Sequence, residues 1–294
     1  MEDIFIKLKR QFFEGTVLAK LLIINIGIFV ILSAFNVIFA LFGSSIMGFV
    51  QYFELPASFV KALIQPWSLL TYMFLHIDFL HLLFNMLWLF WFGQIFLRRF
   101  TERQLLVVYL LGGIAGGVLY MLSYNLFPLF SESVLFSYML GASASVLAIV
   151  VASAMAMPEE RVMLMFLGEV KLKYIAIFAV AMSFFNMTSS NAGGNIAHIG
   201  GALLGFFFIS KLRSGQDITR GVALFLDKLV DLFKVKTRMK AHRGGAQRKG
   251  NTHKSNQSNI NQQEIDAVLD KVKTSGYESL TKEEQQKLFD ASKR

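Results

Sequence analysis

The sequence predicts an all-α membrane protein whose helices cross the bilayer six times. Of its 294 residues, 54% are hydrophobic and only 17% are charged, whereas about a quarter of the residues of a typical soluble protein are charged. Because roughly 20 apolar residues span the hydrocarbon core as a helix, long apolar segments mark the crossings. The six predicted spans cover residues 21–42, 79–97, 104–124, 137–157, 174–189 and 195–212.

The first span is flanked by an N-terminal segment, residues 1–20, and by a long connection to the second span, residues 43–78. Residues 1–20 are predicted to form a cytoplasmic N-terminal segment. We expect no cleavable signal peptide there, because the positive charges lie far from a short apolar core and no small-residue cleavage pattern follows. The connection 43–78 is too apolar for a free loop. We expect it to form a structured element in the membrane interface, where side chains such as Trp67 favour the headgroup level.

The distribution of Lys and Arg predicts the orientation of the spans. Of the 29 Lys and Arg residues, 28 lie in the N-terminal segment, in the loops after spans 2 and 4, or in the tail from Lys211 onward. Lys61 alone lies in the opposite set of loops. Because cytoplasmic loops carry an excess of positive charge, the N-terminus and the tail are both predicted to be cytoplasmic.

Span 2 begins with polar residues that a purely structural role does not explain. His81 and Asn85 are four residues apart and therefore share one face of the helix. Polar side chains inside a membrane span are costly and indicate function, so we predict a common role for this pair. His76 lies near the predicted surface, and we interpret it as an interfacial histidine.

Spans 4 and 6 carry ridges of small residues that predict close packing of their backbones. The ridges consist of Ala144, Ala148, Ala152 and Ala156 in span 4 and of Ala197, Gly201 and Gly205 in span 6. Such packing would bring Ser143 and His198 together, since each lies a few residues inside the same end of its span. Ser145 points about 200° away from Ser143 around the helix. We therefore interpret it as a solvated or back-bonded hydroxyl.

These residues predict nucleophilic chemistry at Ser143. A serine hydroxyl becomes reactive when a base such as His198 takes its proton. The resulting oxyanion needs preorganised donors, and His81, Asn85 and the backbone N–H of Ser143 can supply them. Spans 2, 4 and 6 contain no acidic residue near this depth, so the sequence predicts a Ser–His dyad rather than a triad.

Other hydrolase chemistries do not fit the sequence. The chain has no cysteine, which excludes disulfides, thiolate metal sites and cysteine nucleophiles. His76 and His81 are five residues apart with no Glu between them, so the zinc motif His-Glu-x-x-His is absent. No pair of Asp residues lies inside the spans, and Ser145 replaces the second glycine of an esterase elbow. We expect neither a metal nor a cofactor.

In the order and positions of these motifs, the sequence resembles the rhomboid intramembrane serine proteases. The motifs are His81-x-x-x-Asn85, Gly141-Ala-Ser143 and Ala197-His198-x-Gly-Gly201. The resemblance implies Ser143 as nucleophile, His198 as base, and His81, Asn85 and the Ser143 N–H as the oxyanion hole. Gly141, Ala144 and Gly201 would be packing positions beside the site. It further implies a protease core over residues 21–212, in a bacterial inner (cell) membrane, acting on transmembrane protein substrates.

The sequence departs from the rhomboid pattern at three positions. Ala144 follows the proposed nucleophile where the family usually has glycine, Ser68 follows Trp67 where it has arginine, and Leu97 replaces an acidic residue. Two other functions remain open at this point. One is a catalytically weak or inactive rhomboid-like binder of membrane proteins, and the other is a small transporter, although no inverted repeat is visible.

The tail is predicted to form two further regions. Residues 213–260 contain an amphipathic helix, 217–236, that would lie on the inner leaflet, and a basic linker without aromatic residues. This composition favours contact with anionic lipid over nucleic-acid binding. Residues 261–294 predict a short helical module with a break at Gly276 and a capping box from Thr281 to Glu284.

Overall fold

The computed structural model describes residues 15–164, 168–233 and 256–292 of the chain. These residues belong to two compact units, 15–233 and 256–292. Most of the predicted N-terminal segment and nearly all of the predicted basic linker lie outside the described residues.

The described residues are mainly helical, and the predicted all-α membrane bundle is confirmed. The elements of the first unit are α1 (Val17–Leu41), α2 (Met47–Gln51), β1 (Leu55–Pro56), α3 (Phe59–Ile64), α4 (Ser68–Thr71), α5 (Phe79–Leu97), α6 (Glu102–Leu126), β2 (Tyr138–Met139), α7 (Ser143–Ala156), β3 (Arg161–Leu164), β4 (Gly168–Lys171), α8 (Leu172–Phe185), α9 (Ala192–Arg213) and α10 (Thr219–Phe233). The second unit contains α11 (Asn256–Ser275) and α12 (Lys282–Ser292).

Each predicted span corresponds to one apolar helix, but two of the helices are short. Helices α1, α5, α6 and α9 are long and apolar enough to cross a membrane. Helices α7 and α8 have 14 residues each and are therefore about 21 Å long. The predicted start of span 4 at residue 137 is wrong, because β2 pairs with β1 and the chain turns at Gly141 with a φ of 123°. Span 4 begins at Ser143 instead.

Helix α7 lies at the centre of the bundle, and α1 lies at its edge. Eleven of the 14 residues of α7 are buried, whereas only Leu18, Leu21 and Asn25 are buried in α1. The amide of Asn25 donates to the hydroxyl of Tyr109 in α6 at 3.2 Å. That hydroxyl in turn donates to the Met73 carbonyl at 2.9 Å. One chain of hydrogen bonds therefore joins α1, α6 and the connection that precedes α5.

The small-residue ridges predicted for spans 4 and 6 lie against each other in α7 and α9. A Cβ atom at Gly205 would lie 2.3 Å from the carbonyl oxygen of Ala148, and Gly201 makes the same kind of contact one turn earlier. Helix α6 packs on α7 in a similar way, since a Cβ at Gly112 would lie 2.5 Å from the Cβ of Ala148. These contacts fix the separation of the three helices.

The connection between α1 and α5 is structured, as its apolar composition predicts. The hydroxyl of Thr71 donates to the Phe53 carbonyl at 2.7 Å, and the indole of Trp67 donates to the Tyr52 carbonyl at 2.7 Å. The ammonium of Lys61 donates to the hydroxyl of Tyr138 at 2.9 Å. The connection is therefore bound to the segment that leads into Ser143. Its position in the membrane interface remains a prediction.

Two features at the opposite end of the bundle extend the predicted picture. Strands β3 and β4 pair antiparallel, which the sequence did not predict. The predicted amphipathic helix corresponds to α10, which packs on α6. The Arg103 guanidinium lies 3.2 Å from the Asp227 carboxylate, and the side-chain amide of Gln104 donates to the Asp217 carboxylate at 3.2 Å.

The second unit contains the two predicted helices and the predicted capping box. The N–H of Thr281 donates to the Glu284 carboxylate at 2.8 Å, and the Glu284 N–H donates to the Thr281 hydroxyl at 3.4 Å. Gly276 has a φ of 79° and ends α11. Helix α11 begins at Asn256, five residues before the predicted start of the module.

Candidate active site

Ser143 is the first residue of α7 and follows a tightly held turn. The Gly141 N–H donates to the Tyr72 carbonyl at 3.0 Å, and the Val146 N–H donates to the Ala142 carbonyl at 2.9 Å. The first backbone N–H groups of a helix have no acceptor within it and carry the positive end of its dipole. The Ser143 hydroxyl therefore lies beside backbone N–H groups that can bind a developing negative charge.

Ser143, Asn85 and His198 line one cavity of about 500 Å³ between α5, α7, α8 and α9. The remaining lining residues are Phe84, Trp88, Val146, Leu147, Phe178, Ala179, Met182, Ser183, Asn186 and Asn195. Phe84 on α5 and Phe178 on α8 are both exposed. The cavity thus has apolar side chains at its mouth and a few polar groups inside, as is typical of ligand-binding sites.

The proposed nucleophile and base share this cavity without a direct hydrogen bond. Within the part of the chain that the structure describes, the Ser143 hydroxyl has no hydrogen-bond partner within 3.5 Å. Catalytic hydrogen bonds between serine and histidine are often long before substrate binds and shorten in the substrate complex. Ser143 and His198 are therefore near each other as predicted, in the sense that they line the same cavity.

The imidazole of His198 has a partner that the sequence analysis missed. Its Nδ1 atom lies 3.0 Å from the hydroxyl oxygen of Ser183 on α8. That hydroxyl also donates to the carbonyl of Ala179 at 2.9 Å. In the sequence, Ser183 stands out only as the single serine of a mostly apolar helix, a position that usually indicates helix packing.

Asn85 and His81 face different surroundings, although they share one face of α5. One N–H of the Asn85 amide donates to the His81 carbonyl at 2.8 Å. The second N–H remains available to the cavity, because a side-chain amide has two. The ring of His81 packs on Gly141, where a Cβ would lie 2.7 Å from its Cε1. His81 lines a neighbouring cavity together with Tyr138 and Gly194.

The interpretation of His76 as an interfacial histidine is wrong. Its side chain is 1% exposed, and its ring centroid lies 5.2 Å from that of His81. Its Nε2 accepts a long hydrogen bond, 3.5 Å, from the N–H of Ala142. Burial and, to a smaller extent, the neighbouring His81 lower the pKa of His76. His76 therefore supports the turn before Ser143 as a neutral side chain.

The interpretation of Ser145 as a solvated or back-bonded hydroxyl is also wrong. The residue is fully buried, and its hydroxyl contacts the sulfur of Met73 at 3.8 Å. The prediction that it faces away from Ser143 agrees with this contact. Among the described residues, no group of three or more His, Asp or Glu side chains comes close enough together to bind a metal ion.

Comparisons with known proteins match the membrane unit and the tail separately. The Rhomboid domain family matches residues 64–214, and a family of unknown function, DUF6576, matches residues 252–294. The chain is also similar to a protein of Arabidopsis thaliana named RHOMBOID-like protein 12, mitochondrial, with 28% identity over 158 residues. That match covers 51% of this chain and 47% of the relative, or about half of each. The Rhomboid match extends over more than half of the sequence, and the chain belongs to the rhomboid family.

Proposed function

We propose that this protein is an intramembrane serine endopeptidase that hydrolyses peptide bonds in or near transmembrane segments of membrane proteins. The observation that carries the proposal is the single cavity lined by Ser143, His198 and Asn85 inside a bundle of apolar helices. Nucleophile, base and an oxyanion donor are the groups that acyl transfer by serine requires.

The proposed reaction begins when His198 takes the proton of the Ser143 hydroxyl. The serine oxygen attacks the peptide carbonyl carbon, and the carbonyl oxygen becomes an oxyanion. The free N–H of Asn85, the backbone N–H of Ser143 and the imidazole of His81 are the proposed donors to this oxygen. The C–N bond then breaks as His198 protonates the leaving amine. Water, activated by His198, releases the acyl group from Ser143 in the reverse sequence.

We propose that substrates enter the cavity laterally between α5 and α8. Phe84 and Trp88 on one side and Phe178 and Met182 on the other form this part of the lining. Their apolar surfaces suit a transmembrane segment of a substrate. Part of that segment must be extended inside the cavity, so that a peptide carbonyl is accessible to the Ser143 hydroxyl. We also propose that both termini are cytoplasmic. This part of the proposal is supported by the excess of Lys and Arg in the segments on that side.

The test uses a fluorophosphonate probe and cleavage of a model transmembrane substrate by the purified protein. The wild type should be labelled and should cleave, whereas Ser143→Ala and His198→Ala should do neither. Ser145→Ala is the matched control, because it removes a buried hydroxyl from the same helix on the face toward Met73. It should keep both activities. Cleavage that survives in the Ser143→Ala, Ser145→Ala double variant would refute the assignment.

A non-catalytic binder of membrane proteins is the second candidate, because the largely apolar lining of the cavity could hold a transmembrane segment without any reaction at Ser143. The same probe separates the two functions. A folded wild type that retains a transmembrane peptide but never reacts with the fluorophosphonate would support the binder. Labelling at Ser143 would exclude it.

A further inference from the structure

We infer that Ser183 is a positioning residue that holds the imidazole of His198 in the tautomer required of a general base. The inference rests on the proposed function, because it concerns the base of that reaction. Ser183 belongs to α8, whereas Ser143 belongs to α7 and His198 to α9. The side chain of Ser183 is 5% exposed and lines the same cavity as the other two.

The two contacts of the Ser183 hydroxyl determine which of its atoms faces His198. The hydroxyl oxygen lies 2.9 Å from the Ala179 carbonyl and 3.0 Å from His198 Nδ1. A carbonyl can only accept, so the single hydroxyl proton is donated to Ala179. The oxygen then offers a lone pair to His198, and Nδ1 must carry the proton of this second hydrogen bond.

The resulting tautomer is the one that acyl transfer by Ser143 needs. With its proton on Nδ1, a neutral imidazole has an unprotonated Nε2 that can take the serine proton. In Ser–His–Asp enzymes a carboxylate fixes this tautomer, but none of the residues that line this cavity is acidic. The Ser183 hydroxyl provides the orienting contact without a negative charge. Its contribution to the rate is therefore expected to be smaller than that of a carboxylate.

Kinetics of two variants test the inference against a matched control. Ser183→Ala should lower kcat about 5- to 10-fold, the effect expected of one lost neutral hydrogen bond, with KM unchanged. Ser183→Thr keeps the hydroxyl and should restore kcat. The control Ser153→Ala removes a buried serine hydroxyl from α7 that has no partner among the described residues, and it should leave kcat and KM unchanged. Wild-type kcat in folded Ser183→Ala would overturn the inference.

A second readout is independent of cleavage and separates this inference from the proposed function. Nitrogen-15 NMR of labelled histidine, recorded in the Ser143→Ala background, should show His198 protonated at Nδ1. Adding Ser183→Ala should shift the population toward the Nε2-protonated form. An Nε2-protonated His198 in the presence of Ser183 would overturn the inference. If Ser143→Ala still cleaves, the proposed function fails, while the tautomer measurement still decides the role of Ser183.

Discussion

Gly201 of α9 lies directly against the backbone of α7 at Ala144. A Cβ atom at position 201 would be 2.0 Å from the Ala144 carbonyl oxygen and 2.8 Å from its carbonyl carbon. Because these are backbone atoms, no side chain can move to make room. Ser143 precedes Ala144, and His198 lies one turn before Gly201. The same contact therefore sets the distance between the proposed nucleophile and base.

We expect Gly201→Ala to separate α7 from α9 and to abolish probe labelling of Ser143. Overpacking of this kind typically costs about 1–3 kcal/mol, so the melting temperature should also fall. Gly27→Ala is the matched control, because Gly27 lies in α1 with nothing within 4 Å of an added Cβ. Alanine is the better helix former, and this control should keep both labelling and stability. Wild-type melting and labelling of Gly201→Ala would contradict the prediction.

We expect Gly141→Ala to have a much lower kcat than Gly215→Ala, even though both variants place alanine at an unfavourable φ. Its φ of 123° is unfavourable for alanine, and the added Cβ would displace the ring of His81, whose Cε1 would lie only 2.7 Å away. Gly215→Ala separates the two effects, since Gly215 has a φ of 80° but open space around an added Cβ. The comparison uses cleavage kinetics and thermal unfolding of both variants. Equal kcat in the two variants would exclude a role for the His81 contact.

We expect the loop after α7 to lose a stabilising interaction in acid. Hydrogen bonds from Lys171 and Lys173 lower the pKa of Glu159 to about 2. A carboxyl whose pKa is depressed by folding stabilises the folded state above its ordinary pKa of 4.5, and this stabilisation disappears as the pH falls toward 2.

The melting temperature of Glu159→Gln, measured against wild type across this pH range, tests the prediction. The variant should be less stable at pH 7, and its difference from wild type should shrink as the pH falls and vanish below about pH 2. Because the carboxylate is exposed, high salt should also reduce the difference at pH 7. Glu132→Gln is the control, since Glu132 is exposed and makes no ion pair within the described ranges. A pH-independent difference for Glu159→Gln would contradict the assignment.

The bundle and most of the site could be predicted because they depend on local patterns. Apolar length identifies a span, and small residues four apart identify a ridge, so α7 and α9 could be paired from sequence. That pairing predicts that Ser143 and His198 lie near each other, and the two residues line one cavity. Asn85 could also be predicted from a local pattern. A polar amide inside an apolar membrane helix is energetically costly and therefore indicates a functional position.

The details that could not be predicted depend on contacts between distant segments. Tyr138 and Met139 are as apolar as the helix that follows, and they leave the helical conformation because they pair with Pro56 and Leu55. His76 is buried because segments distant in sequence surround it, among them the turn at Ala142, whose N–H donates to its ring. The role of Ser183 depends on the 3.0 Å distance between its hydroxyl oxygen and His198 Nδ1. The sequence pattern of α8 alone cannot predict this contact with a residue of α9.

We expect Asn85→Ala to lower kcat about 100-fold with little change in KM. Asn85 lines the cavity that contains Ser143, and its amide has a second N–H besides the one donated to the His81 carbonyl. Loss of one oxyanion donor typically costs a factor of 10² to 10³ in kcat. Asn85→Asp is the matched variant, because a carboxylate keeps the shape of the side chain but offers no donor when ionised. It should be at least as impaired, since its charge repels the oxyanion. Initial rates over a range of substrate concentrations give both constants. Wild-type kcat in folded Asn85→Asp would show that this side chain does not donate to the oxyanion.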